Sequence, residues 1–319
     1  MSLTKIAIGS AASILLMLTS AFALAIDEFE SIDVFPVEHS AGKDLSGLAF
    51  CGGELFANSD KIDDRIYALR FDQQKVDLVE RMAIASIPPR EMTYTGSAEY
   101  IYQLQKYANG DPLDWEDIAC DGSVLYLLSE RKNGILAIEN NKSSWLPLDW
   151  YAAAHTAGYL NKYNAYVEGL ALVDNNKILI AMERELRGLI EATRATSGQW
   201  QLITKPLNND QQLAFREGSD DVAALALHNG FLFTLERNAS AICRRDLREY
   251  RADSCFSYRH VEDDAQYRFH DHKYGLGEGL AIDNDNLYIV FDTNGDHREA
   301  DSSDKRALLL KIPLPISWR

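Results

Sequence analysis

Short apolar runs punctuated by polar turns extend along the whole chain, and one pattern recurs five times. Its opening element is Leu45-Ser46-Gly47-Leu48-Ala49, Trp115-Glu116-Asp117-Ile118-Ala119, Val167-Glu168-Gly169-Leu170-Ala171, Val222-Ala223-Ala224-Leu225-Ala226 and Gly277-Glu278-Gly279-Leu280-Ala281. A turn signal rich in Gly, Asn or Asp follows each one, then a second apolar run such as Leu125-Tyr126-Leu127-Leu128 or Leu287-Tyr288-Ile289-Val290. That run ends on an acid: Asp60, Glu130, Glu183, Glu236 or Asp292. From the centre of the opening element to this acid is 13, 13, 14, 12 and 13 residues, the length of two strands of about five residues and a tight turn. The runs are too short, too β-branched and too often broken by Gly, Asn and Asp for helices.

The centres lie 70, 52, 55 and 55 residues apart, and multi-strand repeats of that period predict an all-β fold, a β-propeller. Five blades are expected. The N- and C-terminal segments together make one further period, so a strand around Ile32-Asp33-Val34-Phe35 is expected to close the ring beside Leu308-Leu309-Leu310-Lys311-Ile312. The 70-residue interval then carries an insertion. Six blades are the alternative if strands hide between Met82 and Asp111.

The chain has 319 residues and a formal charge of −16, with 46% apolar content spread throughout. This composition excludes a disordered chain and disfavours nucleic acid as a partner, since no basic face is available to neutralise phosphates. Lys5, the apolar stretch to Ala25 and the small-x-small end Ala23-Leu24-Ala25 read as a signal peptide over 1–25, with an uncleaved N-terminal anchor as the alternative. Residues 26–319 then form a single domain, periplasmic or secreted and expected to be a monomer, with no membrane span after cleavage. Export permits disulfides. Cys243 and Cys255 suit a bridge between neighbouring strands, and Cys51 and Cys120 follow equivalent repeat positions, but four Cys allow three pairings.

In a propeller, equivalent repeat positions converge around one axis. The position before each centre holds Ser46, Glu116, Glu168, Ala223 and Glu278, beside Asp44, Asp114, Asp117, Asp220 and Asp221. The terminal acids form a second column, followed in four units by Lys61, Arg131, Arg184 and Arg237. Because the second column is present in every unit, it reads as structural, capping a neighbour or pairing with the basic residues. Glu116, Glu168 and Glu278 read as functional, because Ser46 and Ala223 break their symmetry: they are the catalytic and metal-ligand candidates. Asp292, Asn294 and Asp296, with oxygens at alternate positions in Asp292-Thr293-Asn294-Gly295-Asp296, are added as metal ligands, and Ca²⁺ is the cation that oxygen ligands suit. Arg184 and Arg237 are the candidates for holding substrate oxygens, with pairing to Glu as their other reading. His270-Asp271-His272 reads as a polar loop.

The stretch Ala165-Tyr166-Val167-Glu168-Gly169-Leu170-Ala171, leading to Lys177-Ile178-Leu179-Ile180-Ala181-Met182-Glu183-Arg184, resembles the signature of the phytase-like family, "esterase-like activity of phytase". Leu45-Ser46-Gly47-Leu48-Ala49 and Phe291-Asp292-Thr293-Asn294-Gly295 resemble its opening and closing elements. The resemblance implies a secreted propeller that hydrolyses phosphoesters or esters. The chain departs from it at Ala223-Ala224, in place of Glu-Gly, and in lacking a Lys/Arg cluster for a polyphosphate. A calcium-dependent hydrolase of a small phosphoester or ester is therefore one reading. A non-catalytic binding or scaffold propeller for a periplasmic protein is the other.

Overall fold

The structure, a computed structural model, describes residues 26–319 apart from residues 73, 74, 93, 95, 164, 185 and 272. The proposed signal segment lies outside the described residues. The chain is mostly β. After β1 (Asp27–Glu28) and β2 (Asp33–Glu38) come β3 (Leu45–Cys51), β4 (Glu54–Ser59), β5 (Arg65–Asp72) and β6 (Lys75–Ala83), an antiparallel meander. A helix, α1 (Ser97–Asn109), separates it from β7 (Trp115–Asp121), β8 (Val124–Ser129), β9 (Gly134–Glu139) and β10 (Lys142–Trp145). A short helix, α2 (Tyr151–Thr156), precedes β11 (Val167–Asp174), β12 (Lys177–Met182), β13 (Gly188–Arg194) and β14 (Trp200–Pro206). Then follow β15 (Ala224–His228), β16 (Phe231–Glu236), β17 (Ala241–Arg245) and β18 (Ala252–Ser257), and finally β19 (Gly277–Ile282), β20 (Asn286–Phe291) and β21 (Leu308–Pro313). Among the described residues no helix is long and apolar enough to cross a membrane.

The last three strands gain their fourth from the N-terminus. β2 pairs antiparallel with β21 over Asp33–Pro36, then runs parallel to β6 through Val37 and Glu38, joining the last meander to the first in one eight-stranded sheet. The expected closing strand is therefore present, and it extends one pairing further than the sequence reading placed it. β1 lies parallel to β18 at the edge of the fourth meander. Between Ile84 and Asp114 the described residues hold α1 and no strand, so the long first interval carries a helical insertion.

The second strands of the last four meanders are mostly apolar because both of their faces are buried. In β12, Ile178 and Ile180 enter one core with Leu128 and Ile135 of the second meander, while Leu179 and Ala181 enter another with Leu225 and Leu232 of the fourth. In β20, Leu287, Ile289 and Phe291 face the fourth meander, and Tyr288 and Val290 face the first. Period-two alternation thus feeds two cores from one strand. Five cores form a cycle, each lying between consecutive meanders, with Phe56 and Ile66 packing on Leu127 and Leu136 to complete it, and a sixth, smaller one lies against the outer strands of the fourth meander. The first strands also touch in a cycle: β3 on β7, β7 on β11, β11 on β15, β15 on β19, and β19 on β3.

The recurrent glycine has a steric cause. A Cβ on Gly279 would lie 2.6 Å from the Ser46 carbonyl oxygen, and one on Gly169 would lie 2.9 Å from the Leu225 nitrogen. At these positions first strands approach backbone to backbone around the axis at a distance that leaves no room for a Cβ. Disulfides link Cys51 to Cys120, joining the first two meanders, and Cys243 to Cys255, across the β17–β18 pair.

Candidate functional site

Two local devices aim acids at one end of the ring. The first is a β-bulge. Pairing shifts between Trp115 and Asp117, between Val167 and Gly169, and between Gly277 and Gly279, so Glu116, Glu168 and Glu278 are the bulged residues. A bulge frees its residue from the ladder and redirects the side chain. The second is a backbone hydrogen bond closing the top of four of the five hairpins: Asp60 N–H to Asp44 O, Glu130 to Asp114, Glu183 to Tyr166, and Asp292 to Leu276, at 2.9–3.2 Å. The acceptor always lies three residues before the repeat centre, so the terminal acid is brought beside the bulge.

The carboxylates of the first column, four acids of the second and the four basic residues that follow second-column acids therefore line one cavity of about 770 Å³ at the end of the axis, while Glu236 itself is buried away from it against Arg187 and Arg245. All the sequence candidates are there: Glu116, Glu168, Glu278, Asp292, Asn294, Asp296, Arg184 and Arg237. Asp60, Asp114, Glu130, Glu183, Asp221, Lys61 and Arg131 line it too.

Within the cavity, the closest groupings differ from the triplet of bulge residues. Carboxylate oxygens of Glu130, Glu168 and Glu183 lie within 4.8 Å of one another, as do those of Asp114, Glu116 and Glu130. Glu116 and Glu168 thus each enter a cluster, and Glu278 enters neither. Glu130 and Glu183 belong to the column that symmetry marked as structural. Glu130 does meet that expectation, since its Oε1 accepts the Tyr166 N–H of the next meander at 3.0 Å. It is also the member common to both clusters. Its recurrence in all five units concealed this second position, and only proximity in space reveals it.

The environment raises the proton affinity of these acids. Burial pushes Glu130 up to about 8, aided by the Asp114 charge. Burial and the Glu168 charge hold Glu116 well above the usual carboxylate range, and burial and the Glu183 charge do the same to Glu168. Asp60 and Asp292 are each raised to about 7, chiefly by burial. Among the described residues no hydrogen bond reaches the Glu116 or Glu168 carboxylate, and Glu183 Oε2 is buried without a hydrogen-bond partner. Like charges crowded in a largely buried site are relieved by taking up protons, or by a cation where one is available.

The basic residues are ordered by the repeat as well. Arg131 Nε binds Asp114 at 2.9 Å and Arg237 Nε binds Asp221 at 2.8 Å, each acid lying three residues before its centre. In the third meander Tyr166 stands at that position, and Arg184 pairs with Glu183 at 3.1 Å. Arg237 also binds Glu183 at 2.6 Å and Glu278, so its pairing reading is realised in full. Glu278 nevertheless stays raised to about 7, because burial outweighs the Arg237 charge.

The Asp292–Asp296 loop is held by its own bonds. Asp292 Oδ1 accepts the Asn294 N–H at 2.8 Å, and Asp296 Oδ2 accepts that of Asp271 at 2.6 Å. His270 stacks on His297 outside the acid clusters, and His272 lies outside the described residues. One residue beyond Glu116, Asp117 stands where the motif has glycine. Its carboxylate accepts the N–H of Ile118 at 2.8 Å and of Leu170 at 2.6 Å, tying the second meander to the third below Glu116 and Glu168.

Comparison with solved structures gives a β-propeller-like fold. Glutaminyl cyclase from Myxococcus xanthus superimposes with a TM-score of 0.53 at 11% identity, covering 88% of this chain and 95% of that one. The PQQ-bound aldose sugar dehydrogenase of Streptomyces coelicolor gives 0.45 at 13% identity, covering 88% and 98%. No curated protein sequence matches significantly. A sequence model of the family described as "Phytase-like: Esterase-like activity of phytase" matches residues 41–257, and the chain belongs to that family.

Proposed function

We propose that this protein is an exported five-bladed β-propeller that binds Ca²⁺ in the axial cavity and hydrolyses a phosphoester or carboxyl ester there. The observation that carries the reading is the buried Glu130–Glu168–Glu183 cluster, three carboxylates within 4.8 Å with one orphaned oxygen. The donor set is all oxygen and strongly anionic, which fits a hard divalent cation. Glu130, Glu168 and Glu183 would hold it, with Glu116 and Asp114 beside them. Such an ion supplies charge neutralisation for substrate oxygens and a more acidic bound water. The chain's own residues supply the rest. Arg184, Lys61 and Arg131 line the cavity and offer donors to an anionic substrate. Glu116, half-buried and with its proton affinity raised, is suited to exchange a proton with substrate or water. The two disulfides support an extracellular location.

The test is turnover of p-nitrophenyl phosphate, p-nitrophenyl acetate and inositol hexakisphosphate, in EDTA and in Ca²⁺, with calorimetry of Ca²⁺ binding. Ca²⁺-dependent turnover of one of them, lost in Glu168→Gln, is expected. No turnover under either condition, with no heat of Ca²⁺ binding, would sink the proposal. A binding propeller is the second reading, supported by the exposed α1 face of Tyr100, Leu104 and Tyr107.

A further inference from the structure

The acids of the cavity are divided between two centres, and one centre already holds a cation. Glu183, Asp221 and Glu278 come from the third, fourth and fifth meanders and converge on the guanidinium of Arg237. Nη2 donates to Glu183 Oε1 at 2.6 Å, Nε to Asp221 Oδ2 at 2.8 Å, and Nη1 to Glu278 Oε1. Asp221 is 0% exposed and Glu183 2%. Three carboxylates meet the Arg237 guanidinium, with Arg184 reaching Glu183 from one side at 3.1 Å, so acids still outnumber bases in a largely buried group. Two of its carboxylates keep an oxygen in reserve. Glu183 Oε2 is buried without a partner, and Glu278 makes no other hydrogen bond among the described residues. Asp221 Oδ1, by contrast, is committed to the Asn238 N–H at 2.9 Å.

Three carboxylates from three separate meanders, gathered on one point with spare oxygens, are what a multi-oxygen divalent site requires. At that point stands a side chain that belongs to the protein. We propose that Arg237 fills a second cation site with its own guanidinium, and that removing it lets the cavity take one more divalent ion than the natural protein does. Glu183 belongs to both centres. Arg237 holds Oε1 of a carboxylate that also stands within 4.8 Å of Glu130 and Glu168, so it is a positioning residue as well as a counter-charge. This inference rests on the calcium reading only for the identity of the ion at that neighbouring centre.

The experiment is Ca²⁺ stoichiometry by calorimetry on the full chain and on Arg237→Gln, with thermal melts in EDTA and in millimolar Ca²⁺. Arg237→Gln is expected to bind one ion per chain more than the natural protein and to gain more thermal stability from Ca²⁺. Arg237→Lys, which keeps a cation in place, is expected to hold the natural count. Arg237→Gln/Glu278→Gln, which removes one acid with the base, is expected to return to it. An unchanged count in Arg237→Gln overturns the proposal, because the residue is then only an ion-pair partner. So does a variant that Ca²⁺ cannot restore to the folded state. If the natural protein binds no Ca²⁺ and Arg237→Gln binds one, the hydrolase reading falls and this one stands.

Discussion

At the scale of single residues, each acid in the cavity trades stability against ion binding. Glu168 sits within 4.8 Å of Glu130 and Glu183, and burial and the Glu183 charge both oppose its ionisation. Glu168→Gln keeps the shape and removes the charge. It is expected to melt higher than the natural protein in EDTA, because a repulsive member is gone. Its Ca²⁺ affinity is expected to fall by about 10–100-fold or more, the range already seen when only an outer partner of a metal ligand is lost. Calorimetry and EDTA melts on one preparation read both effects, and a variant that lost stability in EDTA would show that Glu168 is held by its surroundings rather than opposed by them. The sequence exposed Glu116 and Glu168 through the broken symmetry of their column. It hid Glu130 and Glu183, because a residue present in every repeat carries no local sign that two of its five copies also lie beside a bulged acid. Arg237 was legible as a base next to an acid, but its contacts with Glu183 and Glu278 arise only when three meanders meet.

At the scale of the element, the first strand of each meander is defined by what its neighbours allow. Gly279→Ala would set a Cβ 2.6 Å from the Ser46 carbonyl oxygen and 2.9 Å from the Gly47 carbonyl carbon, both backbone atoms that cannot swing aside. The strands must separate, and the expected cost is roughly 1–3 kcal/mol. A chemical-denaturation midpoint lowered with unchanged slope checks it. An unshifted midpoint would mean that the ring can expand without cost. The strands themselves were readable because burial on two faces makes them short apolar runs, and their turns announce themselves with Asn-Gly, Asp-Gly and Gly-Gly. α1 was not readable as a helix. Tyr100, Leu104 and Tyr107 do stand at helical spacing but face outward, and on its buried side Tyr102 is the one deeply buried large side chain, so no core-facing apolar stripe marks the helix. β1 is two residues long and exposed, too short to leave a pattern.

At the scale of the whole molecule, the ring is closed by covalent and non-covalent links of different reach. Cys51–Cys120 spans 69 residues and joins two meanders, while Cys243–Cys255 spans 12 within one. Loop-closure entropy makes the first bridge worth about 4 kcal/mol and the second about 3 kcal/mol, so Cys51→Ser/Cys120→Ser is expected to be the more destabilised pair in denaturant titration. The acid cavity sets the pH dependence of the same ring. In EDTA, Glu130 keeps its proton to about 8, and Asp60, Glu278 and Asp292 to about 7, whereas in the unfolded chain all four release it near 4. The folded state therefore binds more protons between those limits, and stability falls as pH rises through them. Full stability is retained below pH 4, as far as these four groups are concerned, and their contribution is gone above pH 8. The melting temperature in EDTA is therefore expected to be lower at pH 9 than at pH 5, by on the order of 10 °C. Ca²⁺ neutralises the same carboxylates without protons, so the metal-bound protein is expected to lose little or none of that stability over the same range. Melts at the two pH values, with EDTA and with Ca²⁺, make a four-point test. A melting temperature in EDTA that stays level or rises with pH would contradict the buried, mutually repelling acids on which the cation argument depends.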